Sequence, residues 1–320
     1  MSISSSPTRS RRTLAILVPV FNEERCVPLF FDRIEPVLVP LQEDFIIHLV
    51  FLNNASTDGT LSAIDKLRSR HTDTYVITMS RNVGYQRSLE FGLRHCQADL
   101  YVFIDVDCED PPEMIQDFIA KQHDGFDIVY GERIGRSEAM LIQVLRKMFY
   151  RLLRSIADED IILDMAEFSL MTAEVRNAVI ADHSSFPFIR ASIGRVGFRR
   201  HGISYRRHPR IAGDTHYNVV RMTKFAVAGL LSASTLLLRI VVYALPAWLA
   251  VMGWLAWHSS RSHPGWHSLL VFLGFAYCGC ALSFVCIYLA RVYKNTLGRP
   301  NGFLNSRLSR LPPQLKGVSG

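Results

Sequence analysis

Five carboxylates crowd the stretch from Asp105 to Glu113: Asp105, Asp107, Glu109, Asp110 and Glu113. The apolar run Leu100–Ile104 precedes them, and Pro111 and Pro112 follow. The apolar run predicts a short buried strand, and the prolines predict a turn into a helix. Acids packed this closely repel one another, and a divalent cation on hard oxygen ligands would relieve the repulsion. An acidic run by itself is usually a solvated loop. This one sits at the carboxyl end of a strand, where open α/β sheets bind ligands. Cations are also grouped: Arg133 follows the apolar run Phe126–Tyr130, and Arg206, Arg207, His208 and Arg210 form a basic loop. A second acidic stretch runs from Asp158 to Leu170.

The elements that would position these groups follow from the hydrophobic pattern. Strands are predicted at Leu14–Val20, Phe45–Leu52, Tyr75–Met79, Leu100–Ile104 and Phe126–Tyr130, and Val196–Tyr205 reads as a late strand. Helices are predicted at Cys26–Val39, Leu61–Arg70, from Gly84 to about Cys96, and at Ala139–Ile156. Alternating strands and helices imply an α/β fold with a mainly parallel sheet. Polar loops follow each of the five main strands, so all five would meet at one edge of the sheet. His48 lies inside a strand pattern and is expected to be a packing residue.

Composition points to a second part. The chain has 320 residues, 49% hydrophobic and 20% charged, with a net charge of +7, and its mean hydropathy is slightly positive. Ile240–Trp257 and Leu269–Ala290 carry no charge. A spanning helix needs about 20 apolar residues, so these predict a transmembrane hairpin. Tyr217–Leu238 would be an amphipathic helix at the membrane surface. Arg221, Lys224 and Arg239 lie before the hairpin and Arg291, Lys294 and Arg299 after it, against Arg261 in the connector. That asymmetry predicts cytoplasmic flanks, a cytoplasmic catalytic part and a multi-pass inner (plasma) membrane protein. The basic charge fits a lipid bilayer, and no nucleic-acid motif is present. The six cysteines lack metal-site spacing and read as free thiols. Residues 1–12 read as a disordered basic tail.

The motifs resemble a known family. Val18-Pro19-Val20-Phe21-Asn22-Glu23-Glu24, the loop Asn53–Thr60 and Asp105-Val106-Asp107 resemble, in order, the motifs of family 2 glycosyltransferases with the GT-A fold (Rossmann-like, mainly parallel sheet). Ser80-Arg81-Asn82-x-Gly84, Asp110-Pro111-Pro112-Glu113 and the two apolar spans resemble the polyprenyl-phosphate branch, which includes dolichol-phosphate mannose synthase and GtrB-type enzymes. The resemblance runs from about Leu14 to about Pro300.

That resemblance implies an inverting enzyme moving one sugar from a nucleotide-sugar, a UDP-hexose or UDP-N-acetylhexosamine ahead of GDP-mannose, to polyprenyl phosphate for cell-envelope or glycan assembly. Asp105, Asp107 and Glu109 would hold Mg2+ or Mn2+; Glu109 stands where the family often has Gln. Pro19, Phe21, Asn22, Glu24, Asn53, Asn54, Asp58, Asn82, Gly84 and Asp105 would bind the nucleotide-sugar. Asn53 and Asn54 replace paired acids, and Asp58 could equally cap the next helix. Asp107, Glu167 and Arg133 would be catalytic, with Glu167 as the base or acceptor-site carboxylate in Asp164-Met165-Ala166-Glu167-Phe168, where the resembling family carries an Asp-x-Gly-Asp-Phe-type motif. Arg133, Arg207, Arg210, His216 and Arg221 would bind the acceptor phosphate. A homo-oligomer is implied only by the family.

The expected domains are a catalytic part at 13–213, juxtamembrane helices at 214–239, a hairpin at 240–290 and a cytoplasmic tail at 291–320. Two other functions compete. An inactive transferase-derived membrane scaffold would explain the departures at Asn53, Asn54, Ala166 and Glu167, but the intact Asp105/Asp107 pair opposes it. A processive polysaccharide synthase would carry more spans and a Gln-x-x-Arg-Trp motif.

Overall fold

The apolar runs become strands that are covered on both faces. In a computed structural model, which describes residues 11–134, 165–181, 187–212, 235–262 and 265–313, β1 (Arg12–Val20), β2 (Phe45–Asn53), β3 (Thr74–Thr78), β4 (Leu100–Phe103), β5 (Ile128–Arg133), β6 (Met165–Thr172) and β7 (Arg200–Tyr205) form one sheet. The order is β3-β2-β1-β4-β6-β5-β7. Alternate residues of β1 serve opposite faces: Leu14, Ile16 and Val18 pack with Phe30 and Phe118, and Ala15 and Leu17 pack with Leu89 and Leu93.

On the first face lie α1 (Cys26–Leu41), α2 (Thr60–Arg68) and α4 (Met114–His123); on the second lie α3 (Tyr85–His95), α5 (Ala173–Ile180) and α6 (Ile189–Arg195). α1 buries Cys26, Phe30, Phe31, Ile34, Val37 and Leu38, the spacing of one helical face. It runs on through Pro36 and Pro40 to Leu41, beyond the predicted end. Pro36 is on the exposed side, where water can serve the carbonyl its missing N–H abandons.

The sequence reading missed β6. It pairs antiparallel with both β4 and β5, while the remaining pairs are parallel. The carboxyl ends of the other six strands and the amino end of β6 therefore share one edge of the sheet. Glu167, near the start of β6, joins the loops after β1, β2, β3, β4 and β5 for that reason.

Residues 300–313 belong to this α/β unit. They fall within the expected tail at 291–320, and they line the outer edge of β3. Val76 and Arg310 exchange both backbone bonds, at 3.0 and 2.7 Å, and Asn305 N–H donates to the Thr78 carbonyl at 2.8 Å. A paired edge no longer offers open backbone groups to another chain.

A second unit holds α7 (Leu236–Ser262) and α8 (Gly265–Thr296). Both contain stretches long and apolar enough to cross a membrane, Leu238–His258 and His267–Thr296. They touch through a stack of Trp248 on Tyr277, with ring centroids 4.5 Å apart. Val242, Tyr243, Trp254, Phe272 and Phe275 remain exposed, so these are not core helices of a soluble fold. The predicted helix at Ala139–Ile156, the acids Asp158 to Asp164 and most of the predicted surface helix lie outside the described residues.

Candidate active site

The loops after β1 and β2 are tied to each other. Asn22 N–H donates to Ser56 Oγ at 3.1 Å, and Thr57 N–H donates to Asn22 Oδ1 at 2.8 Å. Gly59 N–H donates to Glu24 Oε2 at 2.9 Å. A Cβ at Gly59 would lie 2.6 Å from that same oxygen, so a side chain there would push Glu24 away. Asp58 fastens the start of α2: its carboxylate accepts from Thr60 N–H at 3.0 Å and from Glu24 N–H at 3.2 Å. Partial burial works against its charge, but the bonds from Thr60 and Glu24 prevail and pull its pKa below the usual value.

Asn53 and Asn54 are buried, 1% and 5% exposed, and their amides are spent inside the fold. Asn53 Oδ1 accepts from Ser56 N–H at 3.0 Å. Asn54 Nδ2 donates to Asn82 Oδ1 at 3.0 Å, and its Oδ1 accepts from Val83 N–H at 2.8 Å. Asn54 thus uses a donor and an acceptor together, which a carboxylate cannot do. Pro19 is buried within β1, whereas Phe21 is 38% exposed at the sheet edge.

Backbone strain collects at this edge. The non-glycine residues with positive φ among the described residues are Asn22 at 56°, Ala55 at 57° and Cys108 at 53°, following β1, β2 and β4. Left-handed backbone at such residues costs energy and concentrates at functional loops. At Cys108 it folds the acidic loop back, so that Asp107 Oδ1 accepts from Glu109 N–H at 3.1 Å.

The acids are covered by a strap, residues 206–212. His208 N–H donates to the Glu109 carbonyl at 2.9 Å and Ile211 N–H to the Asp107 carbonyl at 3.0 Å. Arg210 sets Nη1 3.2 Å from Asp107 Oδ2, and its Nη2 reaches Glu23 Oε1. Arg207 reaches Glu109 Oε2 and lies 3.6 Å from Asp110 Oδ1. Cys26 Sγ donates to the Ala212 carbonyl at 3.3 Å, pinning the strap's far end. Burial, with the Glu23 charge adding to it, raises that thiol to about 12.

Asp105 accepts a 2.7 Å bond from the Tyr85 hydroxyl. Burial, then the charges of Asp107 and Asp110, lift its pKa to about 7. Burial also raises Asp107, against the pull of Glu109 N–H, Arg210 and Arg207. Asp110 is fully buried and holds Arg133, whose Nη2 lies 3.0 Å from Oδ2, while the Tyr205 hydroxyl donates to Oδ1. Arg133 Nε donates to the Tyr205 oxygen at 3.0 Å. Arg133 is thus engaged inside the fold.

The model of the family described as "Glycosyl transferase family 2" matches residues 15–194. The chain belongs to glycosyl transferase family 2. A Bacillus subtilis (strain 168) relative named uncharacterized glycosyltransferase YkcC is 30% identical, over 92% of this chain and 96% of its own. An Escherichia coli (strain K12) protein named prophage bactoprenol glucosyl transferase homolog is 29% identical, over 90% of this chain and 96% of its own. Among solved structures, a mannosyltransferase of Pyrobaculum calidifontis in complex with GDP-Man and Mn2+ superposes with a TM-score of 0.46 at 19% identity, covering 92% of this chain and 88% of that one.

As a family 2 glycosyltransferase, the chain has the expected GT-A α/β fold. Its sheet edge brings together Phe21, Asn22, Glu24, Asp58, Asn82, Gly84, Asp105, Asp107, Arg207 and Arg210. Among the described residues no three Asp, Glu, His or Cys side chains are grouped so as to hold a metal ion, and Glu109 was expected beside Asp105 and Asp107. Its carboxylate pairs with Arg207 instead. Two carboxylates still suit a small divalent cation, because substrate phosphates commonly supply further ligands. His216 and Arg221 lie outside the described residues. Sequence reasoning missed Tyr85, Gln86, Arg190 and Tyr205. The first two directly follow the Asn82-x-Gly84 motif, which was the available signal; Arg190 and Tyr205 carried none.

Proposed function

We propose that this glycosyltransferase moves one sugar from a nucleotide-sugar to polyprenyl phosphate at the cytoplasmic face of a membrane. The observation that carries the proposal is the strap: Arg207 and Arg210 lie directly on the acids that would face a diphosphate. Relatives spanning nine-tenths of the chain are named for bactoprenol glucosyl transfer, and α7 and α8 present apolar surface suited to lipid. The chain leaves the α/β unit, runs through both helices and returns to β3 at residues 300–313. A return to the same unit supports the reading of the two helices as a hairpin, with the basic flanks on one side of the membrane.

Asp105 and Asp107 would hold Mg2+ or Mn2+. Such an ion neutralises charge growing on the departing nucleoside diphosphate. Asp105 must lose its proton to serve. With Asp107 engaged, Arg210 is free to turn from it toward phosphate oxygens, and Arg207 can act likewise. Phe21 offers an aromatic face to the base. An acceptor phosphate is already anionic near neutral pH and needs alignment more than deprotonation. Glu167 would serve that acceptor side of the edge.

A donor screen with purified full-length protein and a short polyprenyl phosphate tests this, with and without Mn2+. Metal-dependent transfer from one donor is expected, and a folded protein that transfers from none would sink the reading. The scaffold alternative is weakened because Asn53 and Asn54 hold the loops together and so have a structural reason to be amides.

A further inference from the structure

Glu167 is held from two sides by residues to which the family motifs assign no part. Gln86 Nε2 donates to Glu167 Oε1 at 2.8 Å, and Arg190 Nε lies 2.7 Å from the same oxygen. The Gln86 carboxamide cannot turn over, because its own Oε1 accepts from Ile189 N–H at 3.0 Å. Both contacts fall on one carboxylate oxygen, Oε1, and restrain where it sits, the first as a hydrogen bond and the second as an ion pair. The glutamate is 6% exposed, so its carboxylate is confined within the wall and not loose in solvent.

The clamp also reaches the donor side. Tyr85, the neighbour of Gln86 on the first turn of α3, donates to Asp105. Asp105, Glu167 and Arg190 all lie within electrostatic reach of the Tyr85 hydroxyl. One helical turn therefore touches the carboxylate of the donor half and the carboxylate of the acceptor half.

We propose that Gln86 and Arg190 are positioning residues that hold Glu167 by Oε1 and present its second oxygen to the acceptor side. The inference rests on the transferase reading and on Glu167 as its acceptor-side carboxylate. It accounts for a departure noted in the sequence. A glutamate is one methylene longer and has one more rotatable bond than the aspartate of the resembling motif. A longer carboxylate needs more restraint to hold one geometry. Gln86 contributes direction and Arg190 contributes charge.

The test uses the full-length enzyme with its best donor and a short polyprenyl phosphate. Variants Q86A, R190A, R190K, E167Q and the double variant Q86A/E167Q are compared. Q86A and R190A should lower kcat by about 10- to 100-fold with donor KM nearly unchanged, the cost of a misplaced group and not of lost binding. R190K should recover part of the loss. Q86A/E167Q should be no slower than E167Q alone, because residues acting through one group are not additive. Melting temperatures separate positioning from folding. Losses that multiply in the double variant, or that follow a fall in melting temperature and not the kcat pattern, would overturn the clamp. Unmutated enzyme that turns over while every Gln86 and Arg190 variant matches it would overturn the clamp alone. Unmutated enzyme that turns over no donor would overturn the transferase reading and the clamp with it.

Discussion

Arg210 sits on Asp107, with Nη1 3.2 Å from Oδ2, and the same guanidinium reaches Glu23 on the first loop. A side chain from beyond β7 thus supplies the positive charge that the acids after β4 lack. The arginine and a divalent cation bound beside Asp107 would have overlapping electrostatic roles. Replacing Arg210 by Ala removes the ion-pair partner of a buried carboxylate, leaving it the Glu109 N–H and the more distant Arg207, and should cost about 1–3 kcal/mol of stability without metal. It should also enlarge the rise in melting temperature that Mn2+ produces, since bound metal then restores the missing charge. Thermal unfolding with and without Mn2+ checks both, and an unchanged Mn2+ response would separate the arginine from the cation site.

Asp105 gives a pH dependence whose sign can be worked out. Its folded pKa is about 7 against 3.8 for an unperturbed group. Between those values the folded protein binds the proton and the unfolded chain does not, so metal-free stability falls as pH rises through that window. Mn2+ needs the carboxylate, so its affinity should weaken by about tenfold per pH unit below 7. D105N should flatten the stability slope. Titration calorimetry at several pH values and melting curves without metal provide the two readings.

Asn54 tests whether the second loop departs from the expected acids for structural reasons. In N54D the new carboxylate would still accept from Val83 N–H but would face Asn82 Oδ1 with no proton to offer. The loss should be about 1–3 kcal/mol, visible in denaturant unfolding. Restoring the more familiar acid should therefore harm the protein. An N54D variant as stable as the unmutated protein would mean the amide is not needed for the fold.

These cases show why some of the protein was legible in its sequence and some was not. Leu14–Val20 is apolar without interruption and Phe45–Leu52 is interrupted only by His48, and strands buried on both faces leave that mark. β6 contains Glu167 and Ser169, both buried, and two polar residues inside a short strand erase its pattern. The loop Asn53–Thr60 announces a turn by composition. Composition is the same whether its amides meet a ligand or meet Asn82 and Ser56. Arg210 and Asp107 are 103 residues apart, and no local spacing rule connects them. Only the order of the strands does.

The return of the chain to β3 gives the last prediction. Thr78 N–H is buried at the sheet edge and donates to Ser309 Oγ at 2.9 Å. The Thr78 hydroxyl donates to the Leu308 carbonyl at 3.0 Å. Replacing Ser309 by Ala removes the acceptor and leaves that amide without its partner, at a cost of about 1–3 kcal/mol. Deleting residues 300–313 should do more, because it uncovers the backbone of Val76 and Thr78 along an edge strand. The helices remain in the truncated chain, so membrane association should survive. Stability and solubility of the α/β unit should fall, with hydrogen exchange at Val76 and Thr78 rising most. Unchanged exchange at those two amides after truncation would show that the segment does not hold the edge in solution.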